Sequence, residues 1–236
     1  MNATGSVTCG TSAPRVGSRD VDGLLSAQEP AVLVVEGDGA IRSALSALLS
    51  RFDLQVFTFA SASEYLAWVR PDVPSCLLLD VDLPDVDGMD FLAQTAGGDH
   101  PQVVFTTGHG DVPASVRAIK AGAVDFLVKP FREADVMRAI DAAIAQDREA
   151  RRRGGELAEL RGRHASLTPR EREVLPLVVS GLLNKQAAAE LGISEITMQI
   201  HRSKVMQKMK AGSLPDLVRM AGTLEIPITH SRHAQR

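Results

Sequence analysis

The chain has 236 residues, 44% of them hydrophobic, and a formal net charge of −3 at pH 7. This length suits two domains of ordinary size, and the apolar content is enough for a packed core in each. No apolar stretch is long enough to form a membrane-spanning helix. The two cysteines, Cys9 and Cys76, are too few for a disulfide framework, and this favours free thiols in a reducing cytoplasm.

The charge is unevenly distributed along the chain. Residues 30–147 hold 8 Lys and Arg against 17 Asp and Glu, whereas residues 167–236 hold 10 against 6. An acidic half followed by a basic half indicates two separate roles, the second of which suits nucleic acid. In the highly charged stretch between the halves, Arg151, Arg152 and Arg153 fit either a solvated helix end or an accessory phosphate-binding patch.

Composition and periodicity divide the chain into five segments. Residues 1–29 are rich in Ser, Thr and Gly and are predicted to form a disordered extension. Residues 30–147 form the first domain and residues 164–226 the second. Residues 148–163, which contain two adjacent glycines, are interpreted as a charged, partly helical linker, and residues 227–236 as a flexible tail.

The first domain alternates short apolar runs with stretches of helical periodicity. The strands are predicted at residues 31–35, 54–59, 76–80, 103–107 and 123–128. The helices are predicted at residues 41–49, 63–69, 112–121 and 133–151. Repeated β–α units predict an α/β fold with a doubly wound, five-stranded parallel sheet and helices on both faces.

Polar side chains follow four of the predicted strands. Glu36 and Asp38 come after the first strand, Asp80 after the third, Thr107 after the fourth and Lys129 after the fifth. Because the carboxyl ends of parallel strands converge on one crevice, we expect these groups to lie close together. Taken singly, each has another explanation as a helix cap, a surface charge or a strand-end hydroxyl.

Together these groups suit phosphoryl transfer to a carboxylate. Asp80 could attack phosphorus and form an aspartyl phosphate. Glu36, Asp38 and Asp80 could hold Mg²⁺, a hard cation that takes carboxylate and phosphate oxygens. Lys129 would offset charge on the transferring oxygens, and the Thr107 hydroxyl could donate to the new phosphoryl group.

Three stretches of this domain resemble the receiver domain of two-component response regulators, in particular the NarL/FixJ class. They are residues 79–84 (LDVDLP), 107–113 (TGHGDVP) and 120–131 (KAGAVDFLVKPF). The resemblance implies a flavodoxin-like fold in which Asp80 is the phospho-acceptor, served by a sensor histidine kinase. It implies that Thr107 and Lys129 contact the phosphoryl group and that Lys129–Pro130 is a cis peptide. It also implies that Phe126 is a switch aromatic, for which a plain core position is the alternative.

One position departs from the family pattern. The family usually has two adjacent carboxylates after the first strand, and the second of them binds Mg²⁺ directly. Glu36 and Gly37 occupy the matching positions here, with Asp38 one residue further on. Since glycine supplies no ligand, we hypothesise a weakened phosphorylation site unless Glu36 reaches the metal or Asp38 substitutes.

The second domain is predicted to be entirely helical. Thr168 and Glu171 form a capping box that opens its first helix. Asn184 is predicted to cap a short second helix, and a tight turn then leads to Ser194, which caps the third. A last helix opens at Ser213. Two helices joined by a short glycine turn are typical of a helix-turn-helix.

The third helix of this domain has two distinct faces at about 100° per residue. Met198, Val205 and Met209 are predicted to face inward, with Arg202 at the edge, and the opposite face is polar with exposed isoleucine. On that face Gln199 and Gln207 can pair with adenine edges and Ile200 can meet a thymine methyl. Four basic side chains suit phosphates: Lys185, Arg202, Lys204 and Lys208. The alternative is an ordinary amphipathic helix.

Three stretches here resemble the LuxR-type helix-turn-helix: residues 167–175 (LTPREREVL), 181–185 (GLLNK) and 191–197 (LGISEIT). The resemblance implies a four-helix domain whose third helix recognises double-stranded promoter DNA. The expected contact residues are Lys185, Thr197, Gln199, Ile200, Arg202, Ser203, Lys204 and Gln207. It also implies dimerisation through Leu214, Leu217 and Val218 of the last helix. Gln199 and Ala187 depart from the residue types usual in the family.

These features predict a cytoplasmic, DNA-binding transcriptional response regulator that acts as a homodimer, binds Mg²⁺ and is not an enzyme. Phosphorylation of Asp80 would control its DNA binding. One alternative is a receiver that works without phosphate, favoured by Gly37. Another is a haloacid dehalogenase-like phosphatase, since Asp80 and Asp82 resemble that family's two-aspartate signature, although the signature normally follows the first strand.

Overall fold

The computed structural model describes residues 29–95, 100–109 and 112–227, and the chain divides into two compact units, Met1–Arg151 and Arg152–Arg236. The predicted N-terminal extension and C-terminal tail lie outside the described residues, apart from Glu29 and Pro227. Among the helices of these ranges, none combines the length and the apolar character needed to cross a membrane.

The first unit contains a five-stranded parallel sheet flanked by helices. Its strands are β1 (Ala31–Val35), β2 (Gln55–Phe59), β3 (Ser75–Asp80), β4 (Gln102–Thr107) and β5 (Asp125–Val128), in the order β2-β1-β3-β4-β5. Its helices are α1 (Gly39–Leu49), α2 (Ala62–Leu66), α3 (Gly88–Thr95), α4 (Val112–Lys120) and α5 (Glu133–Ala165), the last of which continues into the second unit. The doubly wound sheet predicted from the sequence is confirmed, and α3 is a helix that the sequence analysis did not identify.

Strands β1 and β3 have apolar side chains on both faces. In β1, Leu33 and Val35 pack in one core cluster, and Val32 and Val34 pack in a second cluster. Every residue of β1 and β3 is buried, as expected for parallel strands covered by helices on both sides. Strand β3 pairs with β1 on one side and β4 on the other, so its carboxyl end lies in the middle of the row of strand ends.

Helix α5 is longer than predicted. It runs through Gly154 and Gly155, which the sequence analysis assigned to a linker that is only partly helical. Ion pairs spaced four residues apart line the helix at Asp147–Arg151, Arg152–Glu156 and Glu159–Arg163. Each such pair stabilises a helix by about 0.2–0.5 kcal/mol, which partly offsets the cost of about 1 kcal/mol per glycine. Arg151 also pairs with Asp72 of the same unit, so this side chain joins α5 to the loop before β3.

The second unit is helical, as predicted, with α6 (Pro169–Val179), α7 (Asn184–Leu191), α8 (Glu195–Met209) and α9 (Leu214–Thr223). The Thr168–Glu171 capping box and the Ser194 cap are both present. The prediction that Asn184 caps α7 is wrong. Leu183 occupies the N-cap position, and the Asn184 side chain instead accepts a hydrogen bond from Arg202 of α8 at 3.2 Å.

The core of the second unit lies between α6, α7, α8 and α9. Val174 of α6 packs with Met198, Val205 and Met209 of α8, and all four are inaccessible to solvent. The buried face predicted for α8 is therefore confirmed. Packing this face inward directs the opposite face of α8 to the surface of the unit.

Candidate functional site

Asp80 lies at the carboxyl end of β3, where only 4% of its surface is accessible. It pairs in register with Thr106 of β4, and the chain turns away immediately afterwards. A buried strand that ends in a carboxylate thus holds this side chain at the crevice of the sheet, where α/β folds bind their ligands.

Lys129 joins the ends of three strands. Its Nζ lies 2.6 Å from Glu36 Oε2, after β1, and 3.0 Å from Asp80 Oδ2, at the end of β3. Burial works to lower the pKa of Lys129, but its hydrogen bonds to Glu36 and Asp80 outweigh burial and raise that pKa. Lys129 therefore stays charged and holds the two carboxylates together.

Glu36 is almost fully buried, with 1% of its surface accessible. Burial raises the pKa of Glu36, against the opposing effect of its hydrogen bond from Lys129. Its Oε1 accepts a hydrogen bond from the backbone N–H of Asp38 at 3.0 Å. Both carboxylate oxygens of Glu36 are thus directed into the site.

Asp38, which was expected as a possible Mg²⁺ ligand, also caps a helix. Its Oδ1 accepts hydrogen bonds from the backbone N–H groups of Ala40 (2.7 Å) and Ile41 (3.1 Å), so that Asp38 is the N-cap of α1. The same bonds, from Ile41 first, lower the pKa of Asp38. One oxygen of this carboxylate is therefore used at the helix end, whereas Glu36 and Asp80 both contact Lys129.

Two carboxylates, those of Glu36 and Asp80, are placed together where Mg²⁺ would bind. Mg²⁺ is commonly held by one or two carboxylates together with water and a substrate phosphate, and Glu36 with Asp80 meets that minimum. Within the described ranges, no group of three or more His, Cys, Asp or Glu side chains is placed to hold a metal. Gly37 adds no ligand, and a methyl carbon built on it would lie 3.2 Å from Pro84 Cδ.

Thr107 is the last residue of β4, and Phe126 lies in the adjacent strand β5. The Thr107 hydroxyl accepts a hydrogen bond from the backbone N–H of His109 at 3.1 Å. Phe126, in the edge strand β5, is partly buried against the core. The Lys129–Pro130 peptide is cis, as the resemblance implied.

Two residues that shape the site were missed by the sequence analysis. A side chain at Gly88 would overlap the backbone carbonyl oxygen of Asp80, so this position must be glycine for α3 to pack against the end of β3. Arg42 donates from Nη1 to the carbonyl oxygen of Glu36 at 2.6 Å and fixes the loop after β1. The dipeptide Asp87-Gly88 indicates only a turn, and nothing in the sequence indicates the contact of Arg42.

The outer face of α8 forms a second candidate site. Ile196 is 74% exposed and Ile200 50% exposed, in contrast to the buried methionines of the same helix. The remaining expected contact residues on this helix are exposed except for Thr197 and Arg202: Gln199, Ser203, Lys204 and Gln207. Thr197 lies within hydrogen-bond distance of the Ser194 cap, at 2.8 Å between the hydroxyl oxygens.

The basic residues of this site divide into two groups. Lys208, assigned to phosphate contact from sequence, instead binds the buried Glu171 at 2.6 Å, and Arg202 binds Asn184. Lys185 and Lys204 are exposed and make no ion pair within the described part of the chain. Of the four basic side chains expected to contact phosphates, Lys185 and Lys204 are thus the two that are not held by a partner among the residues that the structure describes.

Helix α9 carries the three residues expected to mediate dimerisation. Leu217 is fully buried in the core of its own unit, whereas Val218 is 37% exposed and Leu214 is partly buried. Leu217 therefore stabilises the unit itself, and Val218 is the member of the three that faces solvent.

The sheet order, the strand-end carboxylate and its lysine define the class of receiver domains, joined here to a helix-turn-helix unit. Residues 32–141 match the family of response regulator receiver domains, and residues 165–221 match the luxR family of bacterial regulatory proteins. The chain belongs to the response regulators that combine a receiver domain with a LuxR-type DNA-binding domain.

Similar proteins agree with this assignment over most of the chain. Nodulation protein W of Bradyrhizobium diazoefficiens is 47% identical over 205 residues, which cover 86% of this chain and 90% of that protein. The transcriptional regulatory protein FixJ of Azorhizobium caulinodans is 43% identical over 191 residues, covering 80% and 90%. A solved structure of the response regulator StyR superposes with a TM-score of 0.73 at 41% identity, covering 82% of this chain and 98% of that one.

Proposed function

We propose that this transcription regulator is switched by phosphorylation of Asp80 by a sensor histidine kinase in the cytoplasm. The observation that carries the proposal is the buried Asp80 carboxylate at the end of β3, held 3.0 Å from the Lys129 ammonium. The proposed limits of the receiver and DNA-binding domains are residues 30–147 and 164–226.

In the proposed reaction an Asp80 carboxylate oxygen attacks phosphorus of a phosphohistidine. A P–O bond to Asp80 forms as the P–N bond breaks, and its electron pair leaves on the imidazole nitrogen, which then takes up a proton. Lys129 offsets the charge on the phosphoryl oxygens. Bound Mg²⁺, held by Glu36 and Asp80, would neutralise further charge there. Thr107 would exchange its contact with His109 for one with the phosphoryl group.

Phosphorylation adds negative charge and acceptor oxygens at a site that is already tightly packed. The Thr107 hydroxyl, which bonds within its own loop, is the group that can respond by turning toward the new oxygens. The space that Thr107 leaves would be filled by Phe126, a partly buried side chain of the adjacent strand β5. Such a two-position element is what a local charge change needs in order to control a distant activity.

Labelling with acetyl phosphate and MgCl₂ tests the proposal, with intact-mass measurement as the readout. We expect the mass of one phosphoryl group to be added, and Asp80→Asn to abolish the addition. Asp82→Asn is the matched control, because Asp82 is an exposed carboxylate two residues further on. Equal labelling of Asp80→Asn and the unsubstituted chain would contradict the proposal. Steady hydrolysis of a phosphate ester would instead favour a phosphatase.

A phosphorylation-independent receiver is the second candidate, and Gly37 together with the capping role of Asp38 supports it. This site offers two carboxylates where the family commonly has three. On this alternative, Mg²⁺ binds weakly by calorimetry, acetyl phosphate labels slowly, and Asp80→Asn leaves promoter regulation unchanged. Normal Mg²⁺ affinity with rapid labelling at Asp80 would exclude it.

We further propose that the active form is a homodimer on promoter DNA, with α8 of each copy contacting the duplex. Lys185 and Lys204 would contact phosphates, and the exposed face of α8 would contact bases. Val218 would lie in the contact between copies. Sedimentation of the chain with and without acetyl phosphate, with Val218→Glu for comparison, tests this. An unchanged dimer in Val218→Glu would remove α9 from the interface.

A further inference from the structure

We propose that α8 reads A·T base pairs, with Ile196 and Ile200 contacting thymine methyl groups and Gln199 contacting adenine. This inference rests on the proposed role of α8 as the helix that enters the major groove. It assigns the class of base sequence that the helix recognises and the residues that determine it.

The face of α8 that would meet the bases carries no charge. At about 100° per residue, the side chains within about 60° of Ile196 are two isoleucines, two glutamines and a serine. They are Ile196, Gln199, Ile200, Ser203 and Gln207, and all five are exposed. Exposed isoleucines at this density are costly in water, which favours a surface that is covered when the protein is bound.

Two of the three Arg and Lys side chains of α8, the residue types that read guanine, are held by contacts within the second unit. Guanine is recognised chiefly by bidentate Arg or Lys, whereas adenine pairs with Gln or Asn and the thymine methyl meets apolar groups. Arg202 donates to Asn184, and Lys208 donates to Glu171 and to the backbone carbonyl of Ser166. Lys204 lies on the flank of this face, about 80° around the helix axis from Ile196. From there it would reach a backbone phosphate beside the groove rather than a base edge.

The length of the face sets the number of base pairs that it reads. Ile196 and Ser203 are seven residues apart, which is about 10 Å along a helix at 1.5 Å per residue. Base pairs are spaced about 3.4 Å apart, so these first two turns span about three of them. We therefore expect each half-site to contain about three consecutive A·T pairs at its centre.

Selection of DNA from a random duplex pool by the full-length protein, with and without acetyl phosphate, is the first test. We expect enrichment of sites with consecutive A·T pairs in each half. Enrichment of a G·C core would overturn the inference while leaving the proposed DNA contact by α8 intact. Loss of all enrichment would refute the role of α8 together with the inference, so the two failures are distinguishable.

Removal of single chemical groups from the selected site is the second test. Replacing a contacted thymine by uracil deletes one methyl group and should weaken binding about fourfold at fixed salt, the value of one buried methylene. Replacing adenine by 7-deazaadenine removes the N7 acceptor that a glutamine amide would contact. Both changes should weaken binding by the unsubstituted protein.

Variants then assign each contact to a residue. In Ile200→Ala the cost of uracil at its partner position should disappear, and in Gln199→Ala the cost of 7-deazaadenine should disappear, because the two changes remove the same contact. Leu66→Ala, which truncates an exposed leucine in the first unit, is the control and should leave both costs in place. The inference would be overturned if uracil still weakened binding by Ile200→Ala, and 7-deazaadenine still weakened binding by Gln199→Ala, as much as they weaken binding by the unsubstituted protein.

Discussion

Replacing Lys129 by methionine removes the ammonium that contacts both buried carboxylates of the receiver. Glu36 and Asp80 would then lie together with 1% and 4% of their surfaces accessible and without a partner cation. Removing one member of a buried ion pair costs about 3–5 kcal/mol. The Lys129 side chain is 15% exposed, and the site lies at the carboxyl ends of the strands rather than in the core. We therefore expect a value at the low end, a loss of about 3 kcal/mol in the unfolding free energy of this unit.

Urea denaturation followed by the fluorescence of Trp68 measures this loss. Trp68 is the chain's one tryptophan, and its ring centroid lies 4.6 Å from that of Phe57 in the first unit, so its signal reports on that unit alone. With an m-value of about 2 kcal/mol per M, the midpoint should fall by about 1.5 M.

The control is Arg51→Met, which breaks the ion pair between Arg51 and Glu133, both of them exposed. An exposed pair contributes less than about 1 kcal/mol, so the midpoint should barely change. Adding Glu36→Gln to Lys129→Met should recover part of the loss because it removes one uncompensated charge. Equal effects of Lys129→Met and Arg51→Met, or no recovery in the double variant, would refute the reasoning.

Three further predictions follow from single contacts. Gly88→Ala should destabilise the receiver by about 1–3 kcal/mol and slow acetyl phosphate labelling, because a methyl group would overlap the Asp80 carbonyl. The hydrogen bond from Lys208 lowers the pKa of Glu171 from its ordinary value of 4.5. The ionised Glu171 therefore contributes its full stability to the second unit above pH 4.5, and this contribution is lost as the pH falls through the lowered pKa of the folded state. Circular dichroism should show this acid sensitivity reduced in Glu171→Gln. By calorimetry, Gly37→Asp should bind Mg²⁺ about tenfold more tightly than Gly37→Ala, which adds the same Cβ without a carboxylate. Equal affinities of the two variants would show that a carboxylate at position 37 does not bind the metal.

Features with a local signal could be predicted from the sequence. The buried strands β1 and β3 are continuous apolar runs of the length of a strand, and their polar end residues follow from the same pattern. Thr168 and Ser194 cap helices through contacts to backbone groups three residues away. Such contacts depend on sequence spacing alone, which explains why the sheet, the starts of α6 and α8 and the placement of Asp80 could be predicted.

Features that depend on contacts between distant segments could not be predicted. Arg202 and Asn184 are 18 residues apart and Lys208 and Glu171 are 37 apart, and nothing in either neighbourhood indicates the partner. The requirement for Gly88 likewise arises only when α3 packs on the end of β3. For α5 the glycines indicated a break, but the helix continues through them.

These long-range contacts change what the charge of the second unit means. Counted along the sequence, residues 167–236 are basic, which by itself favours strong nonspecific attraction to phosphates. In the folded unit, Lys208 is neutralised by a buried carboxylate and Arg202 is bound to an amide, so both are used to hold α8 in place. Fewer free cations leave a larger share of the binding free energy to base contacts. An uncharged helix face with Ile196 and Ile200 exposed is consistent with that division, because apolar contacts discriminate between bases and phosphate contacts do not.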